Sequence, residues 1–341
     1  MKHLRFLDSH QLRDHTFPRN GEKKFGEAVH LISSLDDLNS KDFRYVIVGI
    51  LEDIGVRANL GKAGCAQTFQ YLLSPLCNIQ VNRFLDASNI ALGPVLDFKE
   101  LMDEVRNLDQ NRAADLQRLR EVTAQIDESV SALIESIAKA GKIPIVIGGG
   151  HNNSFGIIKG ISQARKSDID VLNIDPHADY RALEGRHSGN GFSYAREEGY
   201  LGRYAVFGMH ESYNNQDILE KFRASADLYY LTYDELLTFS TDERDRLFKD
   251  ALRWLGPGPI GLELDMDSIT GFPVSALNAS GFTMRQARTL VKTAAALASP
   301  YYFHLAEGAP ALATNATEAE LSAKAMVYLI TDFIKSHQAE A

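Results

Sequence analysis

Ile169-Asp170-Val171-Leu172-Asn173-Ile174-Asp175-Pro176-His177-Ala178-Asp179-Tyr180-Arg181 joins a short apolar run to a loop that presents Asp, His and Asp at alternate positions. The run Ile169 to Ile174 reads as a buried strand. In extended backbone, side chains two residues apart point the same way, so Asp175, His177 and Asp179 can converge just beyond the strand's end. Two carboxylates and an imidazole aimed at one point suit a divalent cation that takes oxygen and nitrogen ligands.

Outward from this stretch the same grammar repeats. Upstream, Ile143-Pro144-Ile145-Val146-Ile147 runs into Gly148-Gly149-Gly150-His151, and no Gly-Lys-Ser/Thr follows that would make a phosphate loop. Asn152-Asn153-Ser154 offers cap chemistry for a helix to about Ala164. Downstream, Ile260 to Leu264 ends in Asp265-Met266-Asp267. Strands are also expected at Phe43 to Ile50, Ile90 to Gly93, Ala205 to Gly208, Asp227 to Leu231 and Tyr301 to Leu305. Helices are expected at Ala66 to Leu76, continuously from about Lys99 to Ala140, at Met284 to Leu297, and at Glu318 to His337 behind a Thr317-x-x-Glu320 box. Such alternation predicts an α/β protein of three αβα layers around a mainly parallel sheet. Residues 1–42, polar and broken by Pro18, Gly21 and Gly26, read as an N-terminal extension packed on a single domain spanning 43–341.

The chain has 341 residues, 45% of them apolar, and a net charge of −9. That balance excludes a phosphate-backbone partner, which calls for a basic face. Two cysteines without a C-x-x-C pair exclude a disulfide framework or a thiolate zinc site. No secretion signal opens the sequence, and no run approaches the roughly 20 apolar residues of a membrane span, so a cytoplasmic protein is expected.

Three strand ends supply His151, Asp175, His177, Asp179, Asp265 and Asp267. Four carboxylates and two imidazoles are too many for one catalytic zinc, but fit two metals about 3.5–4 Å apart with a water between them.

In these three motifs and their order the chain resembles the ureohydrolase superfamily, the arginase, agmatinase and formimidoylglutamase group, from about Phe43 onward. The resemblance implies an arginase-like fold and two Mn2+ per chain. His151, Asp175, Asp179 and Asp265 would bind one; Asp175, His177, Asp265 and Asp267 would bind the other. It implies hydrolysis of a C–N bond in an amidine or guanidine, with Glu307 in Ala306-Glu307-Gly308-Ala309-Pro310 holding the amidinium or guanidinium group. It also implies a homo-oligomer.

Departures select within the group. Arg181 stands where arginases commonly have Asn, and can grip a carboxylate bidentately. Ser188 replaces a proton-shuttling His, and His187, one residue earlier, is the candidate general acid. Tyr213 replaces the aspartate that an arginase uses to read its substrate, and Thr270 stands at a non-ligand position where aspartate is usual. Arg181 and the Ser188-Gly189 pair resemble formimidoylglutamases, and Tyr213 counts against L-arginine, so the expected substrate is N-formimino-L-glutamate, gripped by Arg181, Ser188, Asn190, Asn214, Asn215 and Glu307. Alternatives are L-arginine or another guanidino compound, a single-zinc deacetylase-like enzyme, and a non-catalytic relative that binds a small molecule.

Overall fold

The structure, a computed structural model, describes residues 1–337. Ten strands form one sheet: β1 (Leu4–Arg5), β2 (His30–Leu31), β3 (Tyr45–Leu51), β4 (Ile90–Asp97), β5 (Ile143–Ile147), β6 (Ile169–Ile174), β7 (Leu201–Met209), β8 (Leu228–Thr232), β9 (Gly261–Asp265) and β10 (Tyr302–Ala306). Their order is β1-β4-β3-β5-β10-β9-β6-β7-β8, with β2 paired to β4. All pairings are parallel except β1 with β4.

Alternate residues of each strand enter opposite cores. Ile47, Ile145, Leu172, Leu262 and Phe303 face one layer of helices, with Phe248, Leu290 and Phe333. Val46, Val48, Val146 and Val171 face the other, with Leu119, Val122, Ile126 and Val130 of the helix Ala113–Lys139. Burial on both faces explains why the strands read as continuous apolar runs. Among the described residues no helix is long and apolar enough to cross a membrane.

The strand order is what assembles the site. The chain leaves β5, skips two positions to β6, and later returns to fill the gap with β9 and then β10. Four neighbouring strands, β5, β10, β9 and β6, therefore end side by side, and a reversal of this kind opens a crevice at the carboxyl ends.

Several local expectations are corrected. The helix expected from Lys99 to Ala140 is two, Lys99–Glu104 and Ala113–Lys139. Between them the Asp109 carboxylate accepts the Asn111 N–H, a turn that competes with helix. The last helix begins at Ala316, and Asn315 Oδ1 caps it by accepting the Glu318 N–H, in place of a box at Thr317. Asn152 makes no capping bond, because its side chain is drawn inward to a buried glutamate. The strand at Ile90 continues to Asp97. The first 42 residues add β1 and β2 against β4.

Candidate metal centre

The loop after β5 is tight. Gly149 has φ +73°, and a Cβ there would lie 2.3 Å from Asn153 Nδ2, so only glycine fits. The loop wraps around Glu52, the residue after β3, which is fully buried. Glu52 Oε1 accepts from the Gly150 N–H at 3.1 Å and from the carboxamides of Asn152 and Asn153 at 3.2 and 2.6 Å. Its Oε2 accepts the N–H groups of Ile54 and Gly55. Three of these five donors belong to the turn that delivers His151, and the other two, just after Glu52, hold the carboxylate in place.

His151 Nδ1 lies 3.1 Å from Asp175 Oδ2, 3.0 Å from Asp179 Oδ2 and 3.1 Å from Asp265 Oδ2. None of these contacts is a hydrogen bond, and Nδ1 is buried without a partner. Separations of about 3 Å are what neighbouring ligands of one octahedral ion have when each bond is about 2.1 Å. His151, Asp175, Asp179 and Asp265 thus form one ligand-like set, and Asp175, His177 and Asp267 form a second. In the second set, His177 Nδ1 is 3.0 Å from Asp267 Oδ2 and 3.5 Å from Asp175 Oδ1, while Asp267 Oδ1 is buried and unpartnered. Asp175 reaches both sets, one oxygen to each. Asp265, expected in both, sits with the first set through its Oδ2, while its Oδ1 accepts the Asp267 N–H at 2.8 Å, much as Asp175 Oδ1 accepts that of His177 at 2.6 Å.

The electrostatics call for cations. Burial, with the charges of Asp267 and Asp175, holds the Asp265 carboxyl well above its ordinary range. Burial and Asp175 raise Asp179, and burial pushes Asp267 up to about 6. Burial and Asp265 likewise raise Glu307. Orphaned donor atoms and mutually repelling carboxylates fit a pair of dications. The backbone is bent to this purpose: Asp179 and Glu307 both take positive φ, +45° and +61°.

Beneath this cluster sits a second one that the sequence reading did not find. Glu263 and His304, cross-strand partners in β9 and β10, are fully buried. Glu263 is held at about 2: burial alone would raise it, but His304 and His151 outweigh that.

A cavity of about 260 Å3 opens over the metal ligands and is lined by His177, Asp179, Asp265, Asp267, Glu307, Arg181, Ser188, Asn214, Tyr213 and Asn59, among others. Tyr213 stacks on His177 with centroids 5.3 Å apart. Arg181 donates to Asn59 Oδ1 and to Glu184 Oε1, each at 3.1 Å, and Asn59 donates to Ser188 Oγ at 3.2 Å.

Other expected substrate contacts lie elsewhere. His187 is buried, its Nδ1 accepting the Gly189 N–H and its Nε2 3.1 Å from Glu184. Burial and the charges of Arg181 and Arg120 push it down to about 3, so it is a neutral ring off the cavity and not placed to protonate a leaving amine. Asn190 is saturated: Oδ1 accepts from Arg186 and from the His187 N–H, and Nδ2 donates to Ala182 and Gly185 carbonyls. Asn215 caps the helix Gln216–Ala224. Asn214 borders the cavity, but its carboxamide is spent on Ala178, Pro176 and His210 backbone, anchoring the metal loop.

Taken with the paired ligand sets at the strand-order reversal, one comparison fixes the class: the arginase family model matches residues 75–331, and the chain belongs to the arginase family. Within it, the chain is 25% identical over 298 residues to the formimidoylglutamase of Streptococcus pyogenes, covering 84% of each. It is 38% identical over 117 residues to that of Corynebacterium efficiens, a match spanning 34% of this chain and 37% of that protein. The fold superposes on Trypanosoma cruzi formiminoglutamase with Mn2+2 at a TM-score of 0.73 and 19% identity, covering 94% of this chain and 100% of that one. Bacillus subtilis formimidoylglutamase gives 0.73 at 15% identity, with 95% and 94% covered.

Proposed function

We propose that this protein is a binuclear manganese hydrolase that converts N-formimino-L-glutamate to L-glutamate and formamide. The observation that carries the reading is a single cavity with two ligand sets at its floor, Glu307 on its wall and Arg181 at its rim. A carboxylate on the wall and a guanidinium at the rim of one cavity suit a substrate with an amidine at one end and carboxylates at the other. The relatives named formimidoylglutamase support the same choice.

His151, Asp175, Asp179 and Asp265 would hold one manganese and Asp175, His177 and Asp267 the other. Two bound dications supply a water whose pKa is lowered towards neutrality and positive charge for the developing intermediate. Glu307 holds the amidinium by its carboxylate and fixes the plane of the carbon under attack. Arg181, steadied by Asn59, binds a substrate carboxylate, and Ser188 borders the same end. Tyr213, stacked on His177, occupies the wall where an acidic group would otherwise favour a free amino-acid end.

The chain works as one domain over 43–341, with residues 1–42 as an extension at the sheet edge, in a cytoplasmic homo-oligomer; sedimentation velocity tests the assembly. The function is tested by loading purified protein with manganese and offering N-formimino-L-glutamate, L-arginine, agmatine and guanidinobutyrate in parallel. Formamide from the first alone is the expected result. Urea from a guanidine at a comparable rate would move the substrate assignment, and no turnover of any would overturn the enzyme.

A further inference from the structure

The buried cluster under the metal floor has a geometry that a packing role does not require. Glu263 lies two residues before Asp265 on β9, so both side chains emerge from the same face, Glu263 one layer deeper. Its Oε1 accepts the Tyr302 hydroxyl at 2.7 Å, and its Oε2 lies 2.6 Å from His304 Nδ1 and 3.4 Å from His151 Nε2. Nδ1 of His151 faces three carboxylate oxygens and must offer a cation its lone pair. The ring proton therefore belongs on Nε2, and Glu263 Oε2 is the carboxylate oxygen beside it. Tyr302 on Oε1 and His304 on Oε2, the first and third residues of β10, fix that carboxylate between them.

The arrangement is costly as structure. Glu263, His304 and His151 are all fully buried, His304 Nε2 lacks a hydrogen-bond partner, and His151 Nε2 has Glu263 Oε2 beside it at 3.4 Å, longer than a normal hydrogen bond. Well-packed apolar residues commonly replace buried ionic groups with no loss of stability, so this cluster is poor packing and needs another reason. A carboxylate behind a metal-bound imidazole fixes its tautomer and orientation and strengthens it as a ligand.

We propose that Glu263 is a positioning residue for the metal centre: held by Tyr302 and His304, it keeps the His151 ring in the tautomer and orientation that present Nδ1 to the ion of the first ligand set. The inference rests on the two-metal reading above. It makes Glu263 selective, because among the described residues His177, in the second set, pairs with carboxylates only through Nδ1, with Asp267 and Asp175.

The test is manganese binding, read without turnover. Chelator-stripped wild type and Glu263→Gln, both full-length and checked for folding by circular dichroism, are titrated with manganese by calorimetry and followed by electron paramagnetic resonance. Two ions per wild-type chain are expected. In Glu263→Gln one site should keep its affinity while the other weakens by about 10- to 100-fold, and the signal of a coupled pair should give way to that of isolated manganese. Should Glu263→Gln not fold, Tyr302→Phe decides, since it keeps the charge and loses the hydroxyl that aims it; the same single site should weaken, by less. A folded variant with both sites at wild-type affinity, or both weakened equally, overturns the inference alone. A third ion per chain also overturns it, since Glu263 and His304 would then be ligands. A wild type that binds fewer than two ions overturns the two-metal reading and this inference with it.

Discussion

Glu307 Oε1 accepts the backbone N–H of His151 at 2.9 Å. The bond ties the residue after β10 to the loop after β5, so the group assigned to the amidinium is fixed relative to the first metal set. A carboxamide at 307 can still accept that N–H, but it lacks the negative charge that an amidinium calls for. Glu307→Gln should therefore bind manganese as the wild type does and lose turnover by at least about 100-fold, the scale of removing one placed electrostatic group. Parallel metal titration and steady-state kinetics check it; loss of metal together with turnover would assign Glu307 to the metal centre instead.

Arg181 is held by Asn59 and Glu184 while its side chain stays about half exposed, at 48%. A charged hydrogen bond contributes about 1.5–3 kcal/mol, less at a solvated rim. Arg181→Met should raise KM for N-formimino-L-glutamate about tenfold and change kcat little. Asn59→Ala, which frees the guanidinium without removing it, should raise KM by less. Equal KM values across the three proteins would take the carboxylate grip away from this arginine.

The metal ligands were legible in the sequence because each group is local. Alternation alone aims Asp175, His177 and Asp179 together, and the glycines before His151 announce a tight turn. Glu52 also follows a strand, yet nothing in its neighbours shows that it will accept donors from a loop 98 to 101 residues later. Glu263 and His304 become partners only through the insertion of β10 beside β9, a fact of strand order. The errors at His187 and Asn190 have the same source. Their short loop folds on Arg186 and Asp127, and its interior could not be told from its rim without the helix that covers it.

That helix gives a stability prediction. Arg186 donates to Asp127 Oδ2 at 2.7 Å and Oδ1 at 3.2 Å, with both side chains almost fully buried. It also donates to Asn190 Oδ1 and the Asn152 carbonyl, and its guanidinium lies over Phe155 and Tyr194. Removing one member of a buried pair strands the other, at about 3–5 kcal/mol. Asp127→Asn should lose about that much in urea unfolding. Asn190→Ala should also be destabilised, with substrate preference unchanged. A shift in preference among the four amidines and guanidines would return Asn190 to the substrate site.

His187 links the same loop to pH. Burial, with Arg181 and Arg120 nearby, takes its folded pKa down to about 3 from the ordinary 6.5. Between those values the unfolded chain binds a proton at this ring and the native chain does not, so stability rises with pH across that window. The contribution is complete above about 6.5 and is lost progressively as pH falls towards 3. Carboxylates elsewhere also lose native interactions in acid, so the wild-type curve alone cannot isolate it. The comparison is His187→Gln against wild type, both metal-free, with unfolding free energy measured in urea from pH 8 down to the lowest pH at which both stay folded. A carboxamide at this position takes up no proton, so the gap between the two curves should be constant above about 6.5 and should change steadily below it, the wild type losing stability faster than the variant. Parallel curves over the whole range would mean that the ring protonates in the folded chain as readily as in water.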